Sequence, residues 1–342
     1  MPTPRVVSLL PSATELLCAV GGRHLLVGRS HECDYPPGLE SLPVLTAAKI
    51  HAGTPAEIDA AVRAEMVRIS AGPNQTDNSL YTLNQPLLAA LRPDVIITQD
   101  LCHVCSIDLR TVERIAAGMS PKPTVVSLNP HSFEGVLDDL LTVGRAVGLE
   151  TDARRALVAL RERFFRASDY VPHFASETAV AFIEWTDPLF VGGHWTPQLI
   201  ERAGAHHPLN PTVPSPVAGA AAGPVGASMA TAGKSVRVPD EVFAASRPDA
   251  IIICPCGIPL SGVRQAAAEL ARKPWWNDLP AVKRRRVALV DGNQYFNRPG
   301  PRLVDAFCFL VAWLHDRPEV MPADFAWEGF AWEDFVWEGF DR

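Results

Sequence analysis

No apolar run in this chain is long enough to cross a bilayer. The longest candidate, Ala306 to Leu314, is about half of the roughly 18 residues that a spanning helix needs. An excess of positive charge is missing too: 31 Lys and Arg stand against 38 Asp and Glu, a net charge of -7. Affinity for a phosphate backbone comes from clustered cations, so nucleic acid is not an expected partner. The one basic run, Lys283 to Arg286, precedes a strand and reads as a solvated turn. The start, MPTPRVVSLLPSATELL, lacks the layout of a secretory leader. Cysteine is sparse and odd in number, seven in all, which fits a reducing compartment better than a disulfide framework. The expectation is a cytoplasmic location for the chain as written, and a periplasmic one if translation starts upstream. A phosphate loop is absent as well, because Gly233-Lys234-Ser235 is preceded by Ser228 where that motif requires glycine.

What is present is a duplication. Residues 88–102 (LAALRPDVIITQDLC) and 242–256 (VFAASRPDAIIICPC) both read as a helix end, then Arg-Pro-Asp, then a β-branched run that stops at cysteine. The expected fold class is α/β, with two Rossmann-like α/β lobes. With 342 residues, 47% of them hydrophobic, the chain can bury two ordinary cores. The expected division is an N-terminal lobe over 1–130, a helical linker over 131–175, a C-terminal lobe over 176–318 and an acidic aromatic tail over 319–342. Residues 208–234, rich in Pro, Ala, Gly and Ser, read as a mobile insertion. Ser12 or Thr14 is the expected cap of the first helix. The tail repeats every five residues, as Ala326-Trp327-Glu328-Gly329-Phe330, Ala331-Trp332-Glu333-Asp334-Phe335 and Val336-Trp337-Glu338-Gly339-Phe340. A five-residue period makes no single apolar helix face, so the tail reads either as a disordered repeat or as a short recognition or self-docking segment.

Ligands of open α/β sheets bind beyond the strand C-termini, and the strand ends carry an unusual set of residues. They are His31, Glu32 and Cys33; Asp100, Cys102, His103 and Cys105; Glu184 and Trp185; His194 and Trp195; Cys254 and Cys256; and Tyr295, Asn297 and Arg298. Cys102-x-x-Cys105 has metal-ligand spacing, to which Cys254 or Cys256 would add a thiolate. The same pair reads first as small buried residues and only then as a metal site; a redox pair comes last, because the flanking order lacks a thioredoxin-like signature. Trp185, Trp195 and Tyr295 are candidate flat faces for a large planar ligand, or residues packed under loops. Cys18 and Cys308 read as core, and His206-His207 as solvated. Arg29 and Arg298 are candidates for bidentate contact with ligand phosphate or carboxylate. Glu184 and Asp187 do not by themselves make a catalytic pair, so no enzyme is expected.

At VVSLLPSATELLCAVGG, LVGRSHECDYP, LRPDVIITQD and VDGNQYFNRPGPRLVDA, the chain resembles the cobalamin and iron-siderophore substrate-binding proteins of ABC importers, closest to their cobalamin-binding branch. The resemblance covers about residues 5–316. It implies two lobes, one helical linker and a ligand held between the lobes. The lining would come from Ser12 and Ala13, from His31 to Asp34, from Glu184 and Trp185, from His194 and Trp195, and from Tyr295 to Arg298. The implied ligand is cobalamin or a related corrinoid, and the implied partner an ABC permease. A thiolate of Cys102 or Cys254, or the imidazole of His31, is the candidate cobalt contact. Rival readings are a zinc or iron carrier using the cysteines, a siderophore or haem carrier, and a chelatase-like enzyme using His31 or His194 with Glu184.

Overall fold

In the computed structural model the described residues are 3–50, 53–71, 79–100, 107–172, 178–214 and 230–330. The chain forms two compact units. One comprises Met1–Asp169 with Arg298–Cys308, and the other Tyr170–Asn297 with Phe309–Arg342. Residues 298–308 thus belong to the first unit although residues of the second precede and follow them in the chain.

In chain order the first unit holds β1 (Val6–Ser8), α1 (Pro11–Ala19), β2 (Leu26–Arg29), β3 (Thr46–Ala48), α2 (Pro55–Ala71), β4 (Tyr81–Leu83), α3 (Gln85–Leu91), β5 (Val95–Gln99), α4 (Leu109–Ala117), β6 (Thr124–Leu128), α5 (Phe133–Val147) and α6 (Glu150–Ser168). Among the described residues its main sheet is parallel, in the order β2-β1-β5-β6, with β3 and β4 paired antiparallel beside it. The sheet interior is apolar because a parallel sheet covered on both faces needs continuous apolar strands. Val6, Val7, Ile96 and Ile97 are all fully buried. The long helical stretch is two helices rather than one kinked helix. Gly148, at φ 75°, takes the left-handed C-cap of α5 and ends it. Side-chain caps close the starts of α3, α4 and α5, from Asn84, Asp108 and Ser132. The expected cap of α1 is corrected: its N-cap is Leu10 without a side-chain bond, Pro11 opens the helix, and Ser12 and Thr14 lie buried inside it.

The second unit holds β7 (Val180–Thr186), β8 (Leu189–Val191), α7 (Trp195–Arg202), β9 (Val213–Pro214), β10 (Ala230–Thr231), β11 (Val236–Arg237), α8 (Asp240–Ala245), β12 (Ala250–Ile253), α9 (Leu260–Leu270), α10 (Pro280–Lys283), β13 (Val287–Val290) and β14 (Trp327–Gly329); α11 (Leu303–Leu314) precedes β14. Its sheet order is β11-β8-β7-β12-β13-β14, with β7, β12 and β13 parallel and the flanking strands antiparallel. The three parallel strands repeat β1, β5 and β6, whereas the edges do not.

The duplication extends to single hydrogen bonds. Arg92 and Arg247 both take left-handed φ, 45° and 44°. Asp94 and Asp249 each accept, through Oδ2, the N–H of the residue that precedes the neighbouring strand, Arg5 at 2.8 Å and Ala179 at 3.2 Å. The Arg-Pro-Asp motif is therefore a strand-start clamp. Proline cannot continue the helix that ends before it, and aspartate satisfies an N–H that no ladder reaches.

Two expectations fail at the unit's margins. The chain continues to fold past Pro318, because β14, the first tail repeat, pairs with β13 and buries Phe325 and Phe330. His207 is not solvated: it is fully buried, its Nε2 accepts the Phe182 N–H at 3.3 Å, and burial lowers its pKa to about 4. Part of the expected insertion is also fixed, with Asn210 donating to the carbonyls of Gly192 and Lys234; residues 215–229 lie outside the described residues.

Candidate functional site

In the first unit, the strand ends β1 and β2 lead into α1 and into a 30–35 loop packed beside it. His31 is half-buried there, and Thr46 Oγ1 lies 2.7 Å from its Nδ1 and accepts its backbone N–H at 3.0 Å. The Thr46 hydroxyl donates to Ser30 Oγ at 3.0 Å. Thr46 therefore holds the ring through Nδ1, and Nε2 is the nitrogen that it does not engage. Burial and then the Arg29 charge hold the His31 pKa below its ordinary value. The ring of Tyr81 lies 5.6 Å away, tilted.

Arg29 does not present its guanidinium for a ligand. It donates to the carbonyls of Leu39, Ser30 and Cys33 at 3.0 to 3.2 Å and so builds the loop that carries His31. Cys33 is buried beside Thr14 Oγ1, at 3.0 Å, and burial raises its thiol pKa. Burial also raises the pKa of Glu32. Ser12 and Ala13 are buried in the first turns of α1.

Arg298 is likewise committed within this unit. Its Nη1 lies 2.5 Å from Asp34 Oδ1 and 3.3 Å from Glu15 Oε1, and Nη2 donates to the Glu32 carbonyl. Arg302 grips the same Glu15 with two bonds, at 2.6 and 2.9 Å, and its guanidinium carbon sits 4.0 Å from the centroid of the Tyr35 ring. Glu15 and both arginines are almost wholly buried. The charge of Arg298, an expected ligand contact, is thus balanced by carboxylates of this chain. Glu15, Asp34 and Arg302 were not anticipated as one network. The available signal was a lone acid inside an apolar helix, which must be paired when buried.

In the second unit, Glu184 and Trp185 lie within β7 rather than beyond it. The Glu184 carboxyl is enclosed, accepts from Ser235 Oγ at 2.7 Å and from the Gly193 N–H, and burial raises its pKa. The 233–235 backbone reaches it by close approach: a Cβ on Gly193 would lie 2.4 Å from Lys234 C and Ser235 N. His194, at φ 55°, bonds Gly233 through its N–H, and its ring stacks on Trp195 at 5.4 Å. Trp185 is half-buried, with its indole N–H donated to Asp187.

Several expected ligand groups bond within their own unit. Trp195 is buried and donates to the Phe296 carbonyl at 2.7 Å. Tyr295 is buried, donates its hydroxyl to the Asp324 carbonyl and stacks on Phe325 at 4.0 Å. Asn297 ties loops together by donating to the carbonyls of Cys254 and Gly292. Cys254 is fully buried and its thiol pKa is pushed well up by burial, the opposite of what a thiolate ligand needs. Cys256 is exposed. Among the described residues no three His, Cys, Asp or Glu side chains gather as a metal site; Cys102 and Cys105 lie outside the described residues. No helix among the described residues is long and apolar enough to cross a membrane.

Comparison with known proteins gives a consistent answer. The family model described as "Periplasmic binding protein" matches residues 6–293. A cobalamin-binding protein of Halobacterium salinarum is 22% identical over 321 residues, covering 91% of this chain and 69% of that protein. A periplasmic heme-binding protein of Pseudomonas aeruginosa superposes with a TM-score of 0.63 at 20% identity, covering 92% of this chain and 93% of the other. A periplasmic vitamin B12 binding protein of Vibrio cholerae does so with a TM-score of 0.61 at 18% identity, covering 92% and 97%.

Proposed function

We propose that this chain, which belongs to the periplasmic binding protein family, captures a metal-centred macrocycle, in first place a corrinoid, and hands it to an ABC permease. The observation that carries the reading is the state of His31. Its Nδ1 is held by Thr46, burial and the Arg29 charge lower its pKa toward the neutral ring, and Nε2 is the nitrogen that Thr46 does not engage. That is the form of imidazole a metal centre takes, with the second nitrogen oriented by a hydrogen bond. The cobalamin-binding relative and the vitamin B12 binding fold-mate support the corrinoid as cargo.

The remaining groups would serve recognition. Trp185 offers a partly exposed aromatic face for a flat ring. The Glu184 carboxyl, whose pKa burial raises, would meet a polar group of the ligand. Arg29 and Arg298 are assigned to holding the loop, not to ligand anions.

The test is a visible absorption titration of the purified protein with aquocobalamin, repeated with His31→Ala and run in parallel with haemin. A saturable spectral change that His31→Ala abolishes is the expected result. A saturable change with haemin alone would move the cargo to haem, the reading favoured by the heme-binding fold-mate. No saturable change with either ligand would overturn the macrocycle reading.

A further inference from the structure

The first tail repeat is a docked ligand of its own chain. Its strand, β14, pairs antiparallel with β13, Leu289 opposite Glu328. The Asp291 N–H donates to Ala326 and the Phe330 N–H to Val287, extending the pairing at both ends. Four side chains then fill four places. Phe325 stacks on Tyr295 at 4.0 Å and on Phe309 at 4.5 Å, and Trp327 meets Phe309 at 5.3 Å. Glu328 takes both arms of Arg264, at 2.6 and 2.7 Å. Phe330 is buried, 5.9 Å from Trp276. The docked frame is therefore six residues, Phe-Ala-Trp-Glu-Gly-Phe, with a phenylalanine at each end.

Because the repeat is five residues long, each terminal phenylalanine also begins the next frame. Residues 330–335 read Phe-Ala-Trp-Glu-Asp-Phe and residues 335–340 read Phe-Val-Trp-Glu-Gly-Phe. All four anchoring side chains recur in both. The two substitutions fall where the groove tolerates them. A Cβ on Gly329 would meet nothing within 4 Å, so Asp334 fits its place. Ala326 takes part through its backbone N–H and C=O, which Val336 also has.

We propose that the β13 edge, with Arg264, Trp276, Tyr295 and Phe309, is a recognition groove for a Phe-x-Trp-Glu-x-Phe strand, and that residues 330–335 and 335–340 of the same chain are its alternative occupants. Strand register is normally fixed because a slip moves side chains to the wrong face. Here a slip of five or ten residues restores every anchor. The longer loop this creates adds little, since closure entropy grows only logarithmically with length, and tethering keeps the spare frames at high effective concentration. Addition of a strand to a sheet edge, with alternate side chains read by pockets, is an established mode of peptide recognition.

The test uses full-length chains and the amide exchange of Asp291, whose N–H donates to the docked frame. Trp327→Ala with Glu328→Arg disables the first frame alone. Trp332→Ala with Glu333→Arg, and Trp337→Ala with Glu338→Arg, disable the other two. Disabling the first frame should speed Asp291 exchange by no more than about tenfold, the scale of the added loop closure. Disabling all three should remove its protection, and a synthetic Phe-Val-Trp-Glu-Gly-Phe peptide should restore it saturably. Equal exchange in the one-frame and three-frame variants would overturn the proposal. Should the three-frame variant not fold, fluorotryptophan resonances of the one-frame variant decide. Trp332 should take the shift that Trp327 shows in the native chain, and a Trp332 signal left at its free-peptide position would overturn the proposal.

Discussion

Arg298 and Asp34, 264 positions apart in the chain, pair at 2.5 Å and join the 298–308 segment, which residues of the second unit precede and follow, to the loop beside His31. The pair is one half of a buried network whose other half is the Arg302–Glu15 fork. The halves differ in solvent contact: the Asp34 side chain is 50% exposed and that of Glu15 1%.

Removing Arg302 should therefore cost more than removing Arg298. Arg302→Ala leaves Glu15 with one long contact, at 3.3 Å, and the expected loss is about 3–5 kcal/mol, as for other broken buried pairs. Arg298→Ala leaves the fork intact and Asp34 able to reach water, so about 1–3 kcal/mol is expected. Urea unfolding of the two variants checks the order, and equal losses would contradict it.

Asp139, on α5, gives the protein a pH-dependent weakness. Burial, then the neighbouring Asp138, raises its pKa to about 7, and its Oδ2 has no hydrogen-bond partner among the described residues. A carboxyl whose folded pKa is raised favours the native state while both states are protonated, below about pH 4. That contribution fades as pH rises and is lost above about pH 7. Asp139→Asn should raise the melting temperature at pH 8 and leave it nearly unchanged at pH 4. The limit is the ~4 kcal/mol that a three-unit shift represents, lowered by the solvent contact the carboxyl keeps. A gain of the same size at both pH values would remove titration as the cause.

The lowered pKa of His31 predicts how metal-centre binding responds to acid. Protonation competes with coordination at Nε2, so the His31-dependent spectral change should persist below pH 6.5, where an ordinary histidine would already be charged. Thr46→Val removes the hydroxyl that holds Nδ1 and should weaken binding by about tenfold, the lower end for such supporting bonds. A midpoint at or above 6.5, or no effect of Thr46→Val, would show that this ring does not meet the metal.

The cores were legible from sequence because β-branched runs and Arg-Pro-Asp report burial and strand entry directly. Val95–Gln99 and Ala250–Ile253 lie where the duplicated module places them. The edges were not. Strand β8 follows β7 after a two-residue turn, and β14 belongs to a repeat that reads as disordered in isolation, because only the surface of β13 gives it a partner. Aromatics at strand ends were ambiguous for a physical reason: Trp195 and Tyr295 each satisfy their polar atom on a carbonyl of the same unit, and a sequence does not show which way such a ring turns. His31 was found by its place after a strand, but Thr46, which holds its ring, and Ser30 beside it carry no motif.

Cysteine reactivity separates a structural from a metal-binding reading of Cys254-Pro255-Cys256. Only the thiolate reacts or ligates. Cys254 is fully buried with a raised pKa, as is Cys33 to a lesser degree, while Cys18 and Cys308 are pushed up to about 11. Cys256 alone of these is exposed. Maleimide labelling of the native protein at pH 7.5, which is about one unit below the thiol reference value, should modify Cys256 before Cys18, Cys33 or Cys308 and reach Cys254 only on unfolding. Peptide mapping distinguishes the sites. If the two thiols held zinc together, adding zinc would shield Cys256, whereas a buried structural Cys254 leaves its labelling rate unchanged. An unchanged rate is the expected result, because a ligand pair would require Cys254 to leave the core and shed its proton.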